Sequence, residues 1–502
     1  MLAQASKIRL RRLVSLAASA ALALGALLLL RASVQAAAAG AAPSQPAVIY
    51  AVNTFIDAPD DAPGNFICHN ATDGKCSLRA AIQELDADLG LGGTIMLPAG
   101  TYTLTNDADG DLQLTKNIFL AGPSAGVAAI QGKPGWAHRI LRVQDGADVI
   151  LSSLAISGGK LLNGNGGGLD VVSGTVLLVD SLVANNQAGN GGGIYNAGAL
   201  IVDHSTIRSN GAITAGGGLY IAPPVGAGSY LTMNLTQLAD NIAGFYGGGL
   251  YNQGQAVIMT STINLNEAMS AGGLLNFISG TLTVESSAIA GNQALSGDGG
   301  GIVGAGPAYS LQVANSTVSG NSAAAHGGGI EGFGGVVRLF NVTVVSNTGN
   351  TAHSAASGAG GGLYSLAGEF DVVNSLVAQN TDLLGQAPDC FGTFNVIAYD
   401  LVQNTKGCPQ FDAAPGNITG TDPLLAPLSF YGGPTLTYGL KPGSPAVDAG
   451  DPAGCRFGLP QLHADQRGQP RKTDGNGDGI ARCDIGAYEL QLKQLFLPLA
   501  RR

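Results

Sequence analysis

The chain has 502 residues, 77 of them glycine, with 45% hydrophobic and only 12% charged residues. Low charge at that apolar content excludes a disordered polyampholyte, and the glycines lack the every-third spacing of collagen. Lys+Arg 24 against Asp+Glu 34, a formal net charge of −10, argues against a nucleic-acid partner held through its phosphates.

In chain order, Lys7, Arg9, Arg11 and Arg12 precede an apolar run from Leu13 to Leu30, and Val34 and Ala36 stand where a small-residue cleavage site needs them. Residues 1–36 read as a signal peptide, an uncleaved anchor being the alternative. The protein is expected to be secreted or held at the cell surface, with no transmembrane segment in the mature chain. Export makes the six cysteines readable as three sequence-local disulfides, Cys68/Cys76, Cys390/Cys408 and Cys455/Cys483, among fifteen possible pairings. Residues 37–93 read as an N-terminal cap. Ser77 caps a short helix with Leu78, Ala81, Ile82 and Leu85 on one face.

Residues 94–390 carry a repeat. It opens with the strands of Thr94–Leu104, and a turn built on Val149, Leu151, Leu154 and Ile156 fits it before its glycines begin. Small-residue triplets followed by Ile or Leu start at Gly166, Gly191, Gly216, Gly247, Ala271, Gly299, Gly327 and Gly360. About twenty residues after most starts comes an asparagine: Asn186, Asn210, Asn241, Asn266, Asn292, Asn321, Asn347 and Asn380. Apolar residues stand three, eight and ten places before each, and Ser or Thr five before, with Val342 the exception. Positions two apart share a strand face, and the odd steps of three demand a bend. β-Branched runs with dense Gly and Asn exclude a helix. The pattern predicts coils of about 25 residues, stacked so that each pairs with the next around a continuous core. The fold class is all-β: a single-stranded parallel β-helix with an N-terminal helical cap and an irregular C-terminal cap. The asparagines are expected to hydrogen-bond from coil to coil and to take up the left-handed backbone of the corner.

Gly-Gly-Gly-Ile/Leu with a downstream Asn resembles the repeats of polymorphic outer-membrane proteins and of pectate-lyase-like (pectin lyase-like) β-helices. Cys76-Ser-Leu-Arg-Ala-Ala-Ile82 resembles the CSLREA motif of secreted β-helix proteins, departing from it at Ala80, where the family has Glu. In residues 391–490, Gly432-Gly-Pro-Thr435, Ser444-Pro-Ala-Val-Asp-Ala-Gly450, Asp465-Gln-Arg-Gly468 and Cys483-Asp-Ile-Gly-Ala-Tyr-Glu489 are similar to a choice-of-anchor Q domain. Residues 491–502 form a tail. These resemblances imply an exported, right-handed parallel β-helix and leave its activity open.

Four residues after the glycine starts stand Tyr195, Tyr220, Tyr251 and Tyr364, a candidate strip for lying against sugar rings, with simple strand-covering aromatic stacking as the alternative. At the same position Asp170 and Glu331 align with tyrosines or valine, so simple alignment of neighbouring coils builds no carboxylate pair, and only the irregular loops could assemble one. Asp298, His326 and His353 fall outside the aligned strands. Asp474, Asn476 and Asp478, with Asp484 beyond, have the oxygen spacing of a calcium loop but lack its closing Glu; a structural calcium ion and a solvated turn are the two readings. No cofactor is otherwise expected. A monomer with a non-catalytic interaction role, glycan binding or adhesion to a polysaccharide or other cell-surface ligand, is the first reading. A secreted polysaccharide lyase or glycoside hydrolase is the alternative.

Overall fold

A computed structural model of the chain describes residues 48–87, 92–123, 127–224, 228–353, 360–455 and 462–491. The signal peptide assigned to residues 1–36 and nearly all of the tail lie outside the described residues.

The chain winds into a parallel β-solenoid. One coil shows the plan: Ile194–Asn196 follows the glycine triplet, then come Ala199–Asp203, Thr206–Arg208 and Gly211–Ala215. Each strand pairs in parallel with its equivalents in the coils before and after. Val176, Leu200 and Leu231 stand in line, as do Leu178, Val202 and Met233, and Val183, Ile207 and Leu238. These lines are the apolar positions ten, eight and three before the asparagines. They are fully buried in one continuous core, because a coil has no other place to hide them.

The asparagines form an unbroken chain of side-chain hydrogen bonds. From Asn186 to Asn380 each Nδ2 donates to the next Oδ1 at 2.9–3.0 Å, over sequence separations of 24 to 33 residues. The last, Asn380, donates to Asp389 Oδ1 at 2.9 Å. A second ladder runs through the Ser/Thr position, where Ser181 N, for example, donates to Ser205 Oγ at 3.1 Å.

One expectation about the corner is corrected. The left-handed residue is the one before the ladder asparagine: Asn185, Ser209, Asp240, Leu265, Gly291, Gly320, Ser346 and Gln379 have φ from 54° to 66°. The asparagine itself is turned inward and held by four hydrogen-bonding atoms, so its neighbour takes the bend. The first residue of every triplet is also left-handed, including Ala271 at φ 57°.

At the N-terminal end Ser77 Oγ accepts from Ala80 N at 3.0 Å, starting the helix Leu78–Ala87. Its Leu78, Ala81, Ile82 and Leu85 join the core. Arg79 is buried against Asp57 and donates to the Gly110 carbonyl. Cys68–Cys76, Cys390–Cys408 and Cys455–Cys483 are bonded.

The region after residue 390 differs from a simple end cap. Cys390–Gly392, Val396–Ala398 and Leu401–Val402 continue the solenoid in parallel register. The antiparallel pair Leu425–Ser429 and Thr437–Leu440, with residues 462–491, then covers one side of the coils. Thr317 Oγ1 donates to Gln466 Oε1 at 2.6 Å, and Ala487 N to Thr343 Oγ1 at 2.9 Å. The cause lies in the outward positions there: Val345, Leu376, Ala378 and Leu401 are apolar and need a cover, which Leu440, Ala446 and Ile485 provide.

Candidate functional site

Another flank carries an open groove of about 450 Å³ running across five coils. Three template positions build it. Its floor is the position four after each triplet start: Tyr251, Leu275, Val303, Glu331 and Tyr364 stand in that order in parallel register. One wall is the residue just before each triplet: Tyr246, Ser270, Asp298 and His326. The other, two places beyond the floor, includes Phe277, Phe333 and Leu366.

The left-handed first glycine explains why wall and floor meet. It folds the chain back on itself so sharply that a Cβ on Gly327 would stand 2.7 Å from Glu331 Cβ. The residue before the triplet is thereby swung beside the floor. Asp298 and Glu331 come close enough to interact although they lie at different template positions on successive coils. Alignment of one position with itself yields no carboxylate pair, and this one forms between two positions, through a residue outside the aligned strands.

Asp298 Oδ1 lies 2.8 Å from His326 Nδ1 and 3.1 Å from the His326 backbone N–H. Burial alone would raise the Asp298 pKa, but these bonds hold it below its ordinary value. The His326 ring stacks on Tyr364 with centroids 4.5 Å apart. Glu331 is only 6% exposed, and its Oε2 is buried without a hydrogen-bond partner. Burial, and then the charge of Asp298, push its pKa well above the ordinary value. Ser270, Asp298 and His326 follow one another up the wall with the aspartate in the middle. Ser270 Oγ donates to the Asp298 carbonyl at 3.1 Å, so the serine is not paired to the histidine as an activated nucleophile needs.

The tyrosines divide into two groups. Tyr195, Tyr220 and Tyr251 stack with centroids 5.1 and 4.8 Å apart, and Phe277 tilts against the last. Tyr364 is separated from them by Leu275, Val303 and Glu331, and stacks instead on His326 and Phe391. Tyr251 and Tyr364 are buried, the first packed against Tyr220 and Phe277 and the second against His326 and Phe391. The aromatic surface presented to a ligand belongs to residues the tyrosine position does not include: Tyr246 is 47% and Phe333 49% exposed. His353 is not among the residues of the groove.

The acidic loop near the C-terminus is satisfied by its own backbone. Asp474 accepts from Gly477 N and Gly479 N, Asn476 from Asp478 N, and Asp478 from Ile480 N. Asp484 is drawn elsewhere, accepting from Asp448 N and Leu490 N. Among the described residues no three His, Cys, Asp or Glu side chains are grouped as a metal site.

No protein-family model matches the chain, nor does any curated protein. Among solved structures, the crystal structure of pectate lyase Pel9A is similar at 15% identity and a TM-score of 0.45, covering 88% of this chain and 96% of that one. The CSLREA-like and choice-of-anchor Q-like segments rest on the motifs quoted above. Among the described residues no helix is long and apolar enough to cross a membrane.

Proposed function

We propose that the protein is an exported β-solenoid that recognises polysaccharide in this groove. The observation that carries the reading is an exposed aromatic side chain in each wall, Tyr246 on one side and, three coils on, Phe333 on the other, over an apolar floor with a few polar groups. Such a trough offers flat apolar faces to sugar rings and hydrogen-bonding groups to their hydroxyls. Three disulfides support an oxidising compartment, where extracellular glycans are met.

Affinity electrophoresis against immobilised polysaccharides tests it. Tyr246→Ala and Phe333→Ala should each weaken retention about tenfold, the size of a modest contact at a binding centre. Tyr195→Ala, in the stack outside the groove, should leave retention unchanged. Equal loss in all three would place binding along the tyrosine stack, and no retention of the parent protein on any polysaccharide would end the proposal.

A further inference from the structure

Stacking sugar rings does not require a buried carboxyl without a partner, or a histidine clamped by an aspartate, yet the groove holds both within one turn of the coil. We propose that the groove hydrolyses glycosidic bonds of a neutral polysaccharide, with Glu331 as general acid, His326 as general base and Asp298 as the residue that positions the base. This rests on the polysaccharide-binding reading above.

The assignment of roles follows from the environments. Glu331, buried and beside a charged aspartate, favours its protonated form, and so has a proton to give. Asp298 stays ionised because His326 bonds to it. The Nδ1–H of His326 donates to Asp298 Oδ1 at 2.8 Å, which leaves the lone pair on Nε2 and fixes the ring plane. Stacking on Tyr364 fixes it from the other side. Acid and base therefore differ in kind as well as place, which a general acid–base pair needs.

In the reaction, the bond between the anomeric carbon and the glycosidic oxygen breaks with its electron pair leaving on the oxygen, which takes the Glu331 proton. A water oxygen bonds to the anomeric carbon and gives a proton to His326 Nε2. The Glu331 carboxylate then regains a proton and the imidazolium loses one by exchange with solvent. Water is the one co-reactant. Elimination fits less well. It removes a proton next to a sugar carboxylate, whose charge must be neutralised, and no Lys or Arg lines the groove. The Asp298 charge would repel a uronate. The same absence of cations selects a neutral polymer.

The test incubates the purified chain with soluble glucan, mannan, galactan and xylan, and with polygalacturonate as the charged comparator. New reducing ends are measured beside unsaturated ends, and retention on each polymer is measured separately. Expected are reducing ends from at least one neutral polymer and none from polygalacturonate. Glu331→Gln and His326→Asn should each lower kcat by about 100- to 10,000-fold while retention and melting temperature hold. Asp298→Asn should lower kcat with little change in KM, as expected of a positioning role; an equal rise in KM would make it a binding residue and overturn that part. Retention without turnover overturns the hydrolase and leaves the binding reading standing; unsaturated ends overturn hydrolysis in favour of elimination. Turnover that survives both Glu331→Gln and His326→Asn overturns the site. Absence of both retention and turnover overturns the two proposals together.

Discussion

Asn266 shows what a ladder residue does. Its Oδ1 accepts from both the backbone N–H and the side chain of Asn241, and its Nδ2 donates to the Leu238 carbonyl and to Asn292 Oδ1. Replacing it with Ala leaves those partners buried and unbonded. Asn266→Ala should lose about 1–3 kcal/mol, read as a fall in the denaturant midpoint; an unchanged midpoint would show that the ladder adds nothing. The residue before it carries the opposite error. Leu265 occupies a left-handed backbone at φ 56° with its side chain 57% exposed, where the next two coils use Gly291 and Gly320. Leu265→Asn, which tolerates that backbone, should raise stability by about 0.5–1 kcal/mol in the same assay.

At the scale of the coil, the second glycine of each triplet is hemmed in by backbone atoms, the nearest never more than 2.6 Å from an added Cβ. A Cβ on Gly248 would press on the Glu267 carbonyl oxygen, which is backbone and cannot swing away. Gly248→Ala should cost more than the same change at Gly211, where the nearest atom lies 3.7 Å from the added Cβ and belongs to the flexible Gln187 side chain; thermal melts of the two variants make the comparison. The strands themselves were legible in the sequence because burial repeats at the same positions: Leu178, Val202 and Met233 announce a common face. The site was not legible in the same way. Tyr246, Ser270, Asp298 and His326 share no residue type, and their only common mark is the small-residue triplet that follows. The side cover was missed for a related reason: the outward positions turn gradually from Arg208 and Asn264 to Val345 and Ala378, a drift that no single repeat displays.

For the whole molecule, the buried carboxyl groups set a pH dependence. Burial raises Asp389 to about 6. Burial, then the neighbouring Glu369, raises Asp371 to about 6. Burial, then Glu489, raises Asp484 to about 8. Each group holds its proton more tightly folded than unfolded, so the native state binds the extra protons and stability falls as pH rises from about 4 through 8. The melting temperature should therefore be higher at pH 5 than at pH 8, and Asp389→Asn should flatten the part of that slope around pH 6. A melting temperature that rises over the same interval would contradict these environments. The side cover is joined to the solenoid by Arg471, which is fully buried and donates from Nη2 to Asn315 Oδ1 at 2.7 Å. Asn315→Ala should leave the buried Arg471 Nε without its partner, costing about 1–3 kcal/mol, and expose the C-terminal region to limited proteolysis before the coils.

The asparagine chain also has a direction. Every rung gives its amide hydrogen towards the C-terminal end, so an inner rung must donate and accept at once, and only the final partner, Asp389, can be a pure acceptor. Chemical ageing then acts on this protein in one particular way. Asn210 is followed by Gly211, a pair prone to deamidation when the glycine nitrogen is free to attack the side-chain carbonyl. In the folded chain that nitrogen is committed to the Asn186 carbonyl at 2.9 Å, so the native state shields its own weak bond. Once unfolded the shield is gone, and the aspartate that results faces the Asn241 oxygen with no hydrogen to offer. Time spent unfolded at alkaline pH should thus erode refolding yield irreversibly, in step with the aspartate formed at position 210, while folded protein stored alongside keeps its amide.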